Sequence, residues 1–125
     1  LEVFDPTQSP PEQRRRINVE VTGWLNRCLG LDLTDAFCGF KAYRAAALAR
    51  LEITDDGYAM PLEVWVQAAA LGLRVVEVPV PLIYLDESRA FGGALDNAEY
   101  RLNHYREVFR AAMRRAGLAV AEGCA

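Results

Sequence analysis

Four segments of the chain have the apolar spacing of helices, whereas only two read as β-strands. The predicted helices cover residues 10–29, 45–51, 62–71 and 95–116, and the predicted strands cover residues 33–43 and 73–84. Pro79 and Pro81 also remove two ladder donors from the second strand. One pair of strands cannot bury four apolar helical stripes. The sequence therefore predicts an α/β fold whose remaining sheet comes from an absent N-terminal part or from a second copy.

The size and composition are those of one globular domain spanning residues 1–125. Residues 1–11 are predicted as a loop and residues 117–125 as a frayed tail. A net charge of −3 gives no global argument for a nucleic-acid partner. No signal peptide and no apolar run near 18 residues is present, and the chain starts at Leu1 without Met. We expect a piece of something longer.

The cysteines are Cys28, Cys38 and Cys124, an odd number at wide spacing, and His104 is the single histidine. This pattern lacks zinc-site spacing and argues against a disulfide framework. We expect a reducing compartment, with Cys28 and Cys38 buried as small hydrophobic residues.

The segment 35–44, Asp-Ala-Phe-Cys-Gly-Phe-Lys-Ala-Tyr-Arg, is the first candidate for a working site. A strand that only filled a core would not combine Asp35, Gly39, Lys41 and Arg44. The alternative is an unusual piece of core, and the sequence leaves both open.

Charged residues elsewhere each allow a structural and a functional interpretation. Arg14, Arg15 and Arg16 begin a helix, where the dipole disfavours cations, so they are either a solvated face or a phosphate clamp. Glu63 is the one acid on a nearly apolar helix, which fits either a dipole-stabilised first turn or a carboxylate facing a cleft. Glu77 is either a solvent-side residue or the partner of Lys41 or Arg44.

Taken together, these segments resemble the C-terminal, acceptor-side half of family-2 glycosyltransferases, in particular the dolichyl or polyprenyl-phosphate sugar synthases. The resemblance runs in order from about Arg14 to Gly93. Its motifs are Leu25-Asn26-Arg27, Asp35 with Gly39-Phe40-Lys41-Ala42-Tyr43-Arg44, Gly57-Tyr58, Leu62-Glu63, Gly72 and Glu77-Val78-Pro79. The chain departs from the family at Glu87-Ser88-Arg89-Ala90-Phe91-Gly92, and the family's serine near the arginines has only Thr22 as a candidate replacement.

The resemblance implies a partial GT-A fold and a site built from two kinds of residue. Catalytic roles fall to Asp35 and Glu63. It also implies Mg or Mn in the full-length enzyme, with the metal ligands in the absent N-terminal half and none in this chain. Substrate-binding roles fall to Arg14, Arg15, Arg16, Arg27, Gly39, Phe40, Lys41, Arg44 and Arg89.

The leading hypothesis is a fragment of an inverting glycosyltransferase that is inactive alone. The full-length enzyme would move a sugar from a nucleotide donor to a lipid-phosphate or hydroxyl acceptor. The implied setting is cytoplasmic, at the inner face of the membrane, with peripheral membrane contact and a homodimer. The alternative is a small α/β binding or oligomerisation module without catalysis.

Overall fold

The computed structural model describes residues 12–81 and 97–125. Its helices are α1 (Glu12–Leu29), α2 (Ala45–Leu48), α3 (Met60–Ala70) and α4 (Ala98–Arg115). The three longer helices contact one another in every pairing. Within the described residues, no helix is long and apolar enough to cross a membrane.

The helices form where the apolar spacing predicts them, and their ends follow the expected chemistry. Asn97 caps α4 by accepting a 2.9 Å hydrogen bond from the backbone N–H of Tyr100. Gly117 follows α4 with a φ of 72°, and the N–H of Leu118 closes the terminus on the carbonyl of Met113 at 2.9 Å. Such a left-handed position favours glycine because it has no Cβ.

The core lies between α1, α3 and α4. Trp24 and Phe109 place their ring centroids 6.5 Å apart, and Leu25, Leu62 and Val66 are fully buried around them. Burying one such side chain contributes roughly 1.5–3 kcal/mol. Helix-on-helix packing therefore accounts for the core.

The predicted α/β fold class is wrong for the described residues, because they contain no β-strand. Residues 30–44 and 73–81 lie outside helices and form no strand with each other. Residues 82–84 of the second predicted strand lie outside the described residues. The period-2 pattern did locate non-helical segments, but a strand also requires a ladder partner, which a local pattern cannot supply.

Helix side chains bond to the backbone of the segment after α1 and of the loop before α3, much as a neighbouring strand would. The amide of Asn26 on α1 both donates to the carbonyl of Leu33 at 3.0 Å and accepts from its N–H at 2.9 Å. The amide of Gln67 on α3 does the same for Glu52, at 2.8 and 2.7 Å. Each amide presents one donor and one acceptor, as a neighbouring strand would.

Cys28 and Cys124 form a disulfide, so the prediction of unpaired cysteines is wrong for this pair. Their Cα atoms lie 5.3 Å apart although 96 positions separate them in sequence. Cys38 is free and half-buried. The inference of a reducing compartment rested on unpaired cysteines and loses that support.

The segment after α4, predicted as a frayed tail, is attached to the helices. Arg27 donates to the carbonyl of Cys124 at 3.2 Å, and Arg110 donates to that of Ala125 at 3.0 Å. A Cβ at Gly23 would lie 2.9 Å from the Arg27 guanidinium, so this glycine makes room for the arginine. Leu118 and Val120 also pack against the core.

We predict that replacing Cys28 by Ser lowers the free energy of unfolding by about 2–4 kcal/mol, because the bond restricts the unfolded chain over a long loop. Urea unfolding under non-reducing conditions measures the change. Cys38→Ser is the matched control and should have a much smaller effect. An intact-mass measurement that finds three free thiols in the native protein would contradict the prediction.

Candidate functional site

Asp35 lies in the loop after α1, and α1 fixes its carboxylate. Its Oδ1 atom accepts a 2.7 Å hydrogen bond from the side-chain amide of Asn18 and a 2.9 Å bond from the backbone N–H of Phe37. Asn18 and Asp35 are both half-buried. The carboxylate is therefore oriented by two donors on the same oxygen.

A second contact between α1 and this loop supports the first. The Thr22 hydroxyl donates to Asn18 Oδ1 at 2.9 Å and accepts from the backbone N–H of Ala36 at 3.1 Å. The carbonyl of Ala36 accepts a 2.9 Å bond from the indole of Trp65 on α3. The residue next to Asp35 is thus held by both helices.

Lys41 lies on the α3 side of the same loop. Its ammonium is 5.5 Å from the centroid of the Trp65 ring, a cation–π arrangement, and donates to the carbonyl of Cys38. Burial lowers the pKa of Lys41 below its ordinary value, while the charges of Cys38 and Asp35 act in the opposite direction. Asp35 and Lys41 thus belong to the same loop, and the Asp35 carboxylate favours the charged form of the Lys41 ammonium.

Buried aromatic and basic residues of α4 pack beside this loop. The Phe37 and Tyr105 rings are 5.0 Å apart, and burial raises the pKa of Tyr105 while Arg101 and Arg14 oppose the rise. Arg101 is only 2% exposed. Sequence reasoning missed it, although an arginine at helical spacing from Tyr105 and Phe109 on an apolar stripe was a usable signal.

The other residues of the predicted loop site are open to solvent. Gly39 and Arg44 are exposed, and Phe40 is 84% exposed, which is unusual for a phenylalanine. These exposed residues and the half-buried Asp35 and Lys41 all belong to the one segment 35–44. Their binding roles stay predictions.

The three consecutive arginines Arg14, Arg15 and Arg16 have different surroundings. Arg14 is half-buried, and its charge opposes the rise in the pKa of Tyr105. Arg15 and Arg16 are exposed, and Arg16 lies 3.5 Å from Glu12 in a solvent-exposed ion pair. Arg27 contacts the C-terminal segment instead of the loop. Arg89 lies outside the described residues.

Glu63 is 2% exposed and anchors the loop before α3. Its carboxylate accepts from the N–H and hydroxyl of Thr54, both at 2.7 Å, from the N–H of Asp55 at 3.1 Å and from Arg115 at 3.0 Å. Burial raises its pKa, but the bonds from Thr54, Arg115 and Asp55 together hold it below the ordinary value. This geometry describes an anchor, and a catalytic role for Glu63 stays a prediction.

Glu77 bonds to Thr34 and not to Lys41 or Arg44, the two partners predicted from the sequence. Its carboxylate accepts from the N–H and the hydroxyl of Thr34 at 3.0 Å. The two predicted strands are thus adjacent at this point, through a side chain and not through a backbone ladder.

The described residues do not fit a metal centre. Residues 12–81 and 97–125 bring together no group of three His, Cys, Asp or Glu side chains able to hold an ion. Asp35 and Glu63 are each held by hydrogen-bond donors in separate settings.

Comparison with known proteins gives one informative similarity. The chain is 34% identical over 93 residues to an undecaprenyl-phosphate mannosyltransferase of Micrococcus luteus, a match that covers 70% of this chain and 38% of that protein. The chain thus spans about two-fifths of the length of this relative. The similarity supports a relationship to the family-2 glycosyltransferases, the coarse part of the resemblance. No protein-family model matches the chain. No solved structure matches it significantly.

We predict that Glu63→Gln lowers the free energy of unfolding by about 2–3 kcal/mol at neutral pH, because an amide cannot accept from four donors around a buried site. The pKa of Glu63 is depressed in the fold, so its contribution is complete above the ordinary value of 4.5 and is lost as the pH falls through the lower native pKa.

Urea unfolding of both proteins from neutral pH to about pH 3 measures this difference. The two stabilities should converge on acidification. Asp56→Asn, in the exposed part of the same loop, is the matched control and should track the wild type. A gap between Glu63→Gln and wild type that is constant over the whole pH range would refute the assignment.

Proposed function

We propose that this chain is the acceptor-side part of a glycosyltransferase that moves a sugar from a nucleotide donor to a polyprenyl phosphate. The observation that carries the proposal is the similarity to the undecaprenyl-phosphate mannosyltransferase over 93 residues. The ordered motifs from Leu25-Asn26-Arg27 to Glu77-Val78-Pro79 support the same assignment.

Lys41 is the residue that we assign to the anionic part of the substrate. Its ammonium is half-buried beside an aromatic face, where a charge-assisted hydrogen bond to a phosphate oxygen is stronger than in water. Asp35 opposes the effect of burial on Lys41 and so favours the charged ammonium that phosphate binding requires. Exposed Gly39 and Phe40 leave room on that side of the loop for a substrate.

The transfer itself needs little from this chain. A phosphate oxygen of the acceptor attacks the anomeric carbon of the sugar, and the bond from that carbon to the nucleotide phosphate breaks with inversion. The electron pair leaves with the nucleotide. A phosphate acceptor is already ionised at neutral pH, so no strong general base is required. The proposal is therefore compatible with a Glu63 that only anchors a loop.

The setting of the reaction is proposed on the same basis. The relative is longer than the chain, so we place the nucleotide-sugar site, with Mg or Mn, in a part of the full-length protein beyond these residues. We expect this chain alone to be inactive. We also propose a homodimer at the cytoplasmic face of a membrane, in peripheral contact with it through the lipid acceptor.

Transfer of labelled sugar from UDP- and GDP-sugars to undecaprenyl phosphate, measured with the longest reading frame that contains this chain and with Mg or Mn, tests the proposal. We predict that Lys41→Ala lowers kcat/KM for the phosphate acceptor by about 100-fold, because one charge-assisted contact is lost. Lys41→Arg should restore part of the activity.

Arg50→Ala, an exposed cation just beyond α2, is the matched control and should retain full activity. Circular dichroism confirms that each variant folds. Transfer only to hydroxyl acceptors would reject the polyprenyl phosphate. The absence of both turnover and donor binding in the longer protein would reject the enzyme and favour a module without catalysis.

A further inference from the structure

We infer that Asn18 is a positioning residue for the proposed site. Together with Thr22, it fixes Asp35 Oδ1 and so orients the carboxylate within the loop that also carries Lys41. This inference rests on the proposed function for its catalytic meaning, but the hydrogen-bond chain behind it is a property of the described residues alone.

The hydrogen bonds that link Ala36, Thr22, Asn18 and Asp35 form a series. Backbone N–H groups at its two ends determine which atom donates in each bond. A backbone N–H can only donate, so the N–H of Ala36 makes the Thr22 hydroxyl oxygen an acceptor. The hydroxyl proton is then available to Asn18 Oδ1, which directs the Asn18 NH₂ group to Asp35. The amide orientation follows from the network, and the reversed orientation would break both bonds.

The other end of the chain is determined in the same way. The N–H of Phe37 donates to the same Oδ1 atom that accepts from Asn18. Oδ1 is therefore occupied by two donors, whereas no donor among residues 12–81 and 97–125 bonds to Oδ2. Within the described part of the chain, one carboxylate oxygen is thus held by two donors and the other by none.

The pKa of Lys41 can be used to detect a change in the position of the Asp35 carboxylate. The charge of Asp35 acts on the Lys41 ammonium, together with that of Cys38, and Trp65 covers the ammonium on the α3 side. A carboxylate released by Asn18 would change its distance to the ammonium. Lys41 is also the single lysine of the sequence, so its side chain can be observed without overlap from others.

The first test uses the chain as it is, labelled with ¹³C,¹⁵N-lysine, and follows the Lys41 Cε and Nζ resonances with pH. Asn18→Ala should shift the pKa of Lys41 in the wild-type background and leave it unchanged in an Asp35→Asn background, because Asn18 acts through the Asp35 charge. Thr22→Val should behave like Asn18→Ala, and Thr22→Ser should restore the wild-type titration. Asn103→Ala, an exposed asparagine on α4, is the matched control.

Thermal unfolding first shows that each variant is folded. No shift of the Lys41 pKa in Asn18→Ala, or the same shift in both backgrounds, then overturns the inference.

The second test measures transfer by the longer protein. Asn18→Ala should lower kcat/KM for the phosphate acceptor about 10- to 100-fold with KM for the donor little changed, as expected for a residue that orients a binding group without contacting the substrate. A loss confined to KM for the donor would overturn the positioning role. Without any activity in the wild-type protein the proposed function fails, and the titration still decides whether Asn18 positions Asp35.

Discussion

The structure depends on helix side chains that bond to the backbone of non-helical segments. A buried or half-buried backbone group without a partner costs about 1–3 kcal/mol, so the segments after α1 and before α3 require donors and acceptors from somewhere. Asn26, Thr22 and Gln67 supply them from helices that are already held by apolar packing. Order in the loops is therefore a consequence of the helical core, and the candidate site inherits its rigidity from α1 and α3.

This arrangement gives the loop around Asp35 two kinds of support. On the α1 side the contacts are hydrogen bonds with fixed direction, through Asn18 and Thr22. On the α3 side Trp65 contributes both an indole donor and an aromatic face beneath Lys41. A carboxylate and an ammonium thus sit on one short loop whose geometry is set by two separate helices. Binding sites placed on such supported loops keep their geometry better than sites on free ones.

The helices were predictable because their signals are local: apolar spacing and glycines at the C-termini. The Asn97 cap, which begins α4 at Ala98, was a local signal that the prediction did not use. The fold class was not, since strand-like spacing in residues 33–43 describes an extended chain and not its pairing. The Cys28–Cys124 bond joins positions 96 apart, beyond any pattern in the sequence. For the candidate site, Asp35 and Lys41 were predicted from the unusual composition of residues 35–44, and their roles stay predictions, whereas Asn18 was not among the predicted residues. A pair of polar residues four apart beside the apolar stripe of α1 was the available signal.

The disulfide has a consequence for the integrity of the chain. Because Cys28 and Cys124 are covalently joined, the polypeptide between them is a closed ring that contains Asp35, Lys41 and helices α2, α3 and α4. A single cut at any peptide bond within that ring leaves both products in one molecule. Under oxidising conditions a nicked protein would therefore keep its full mass, and the two fragments would separate only after reduction.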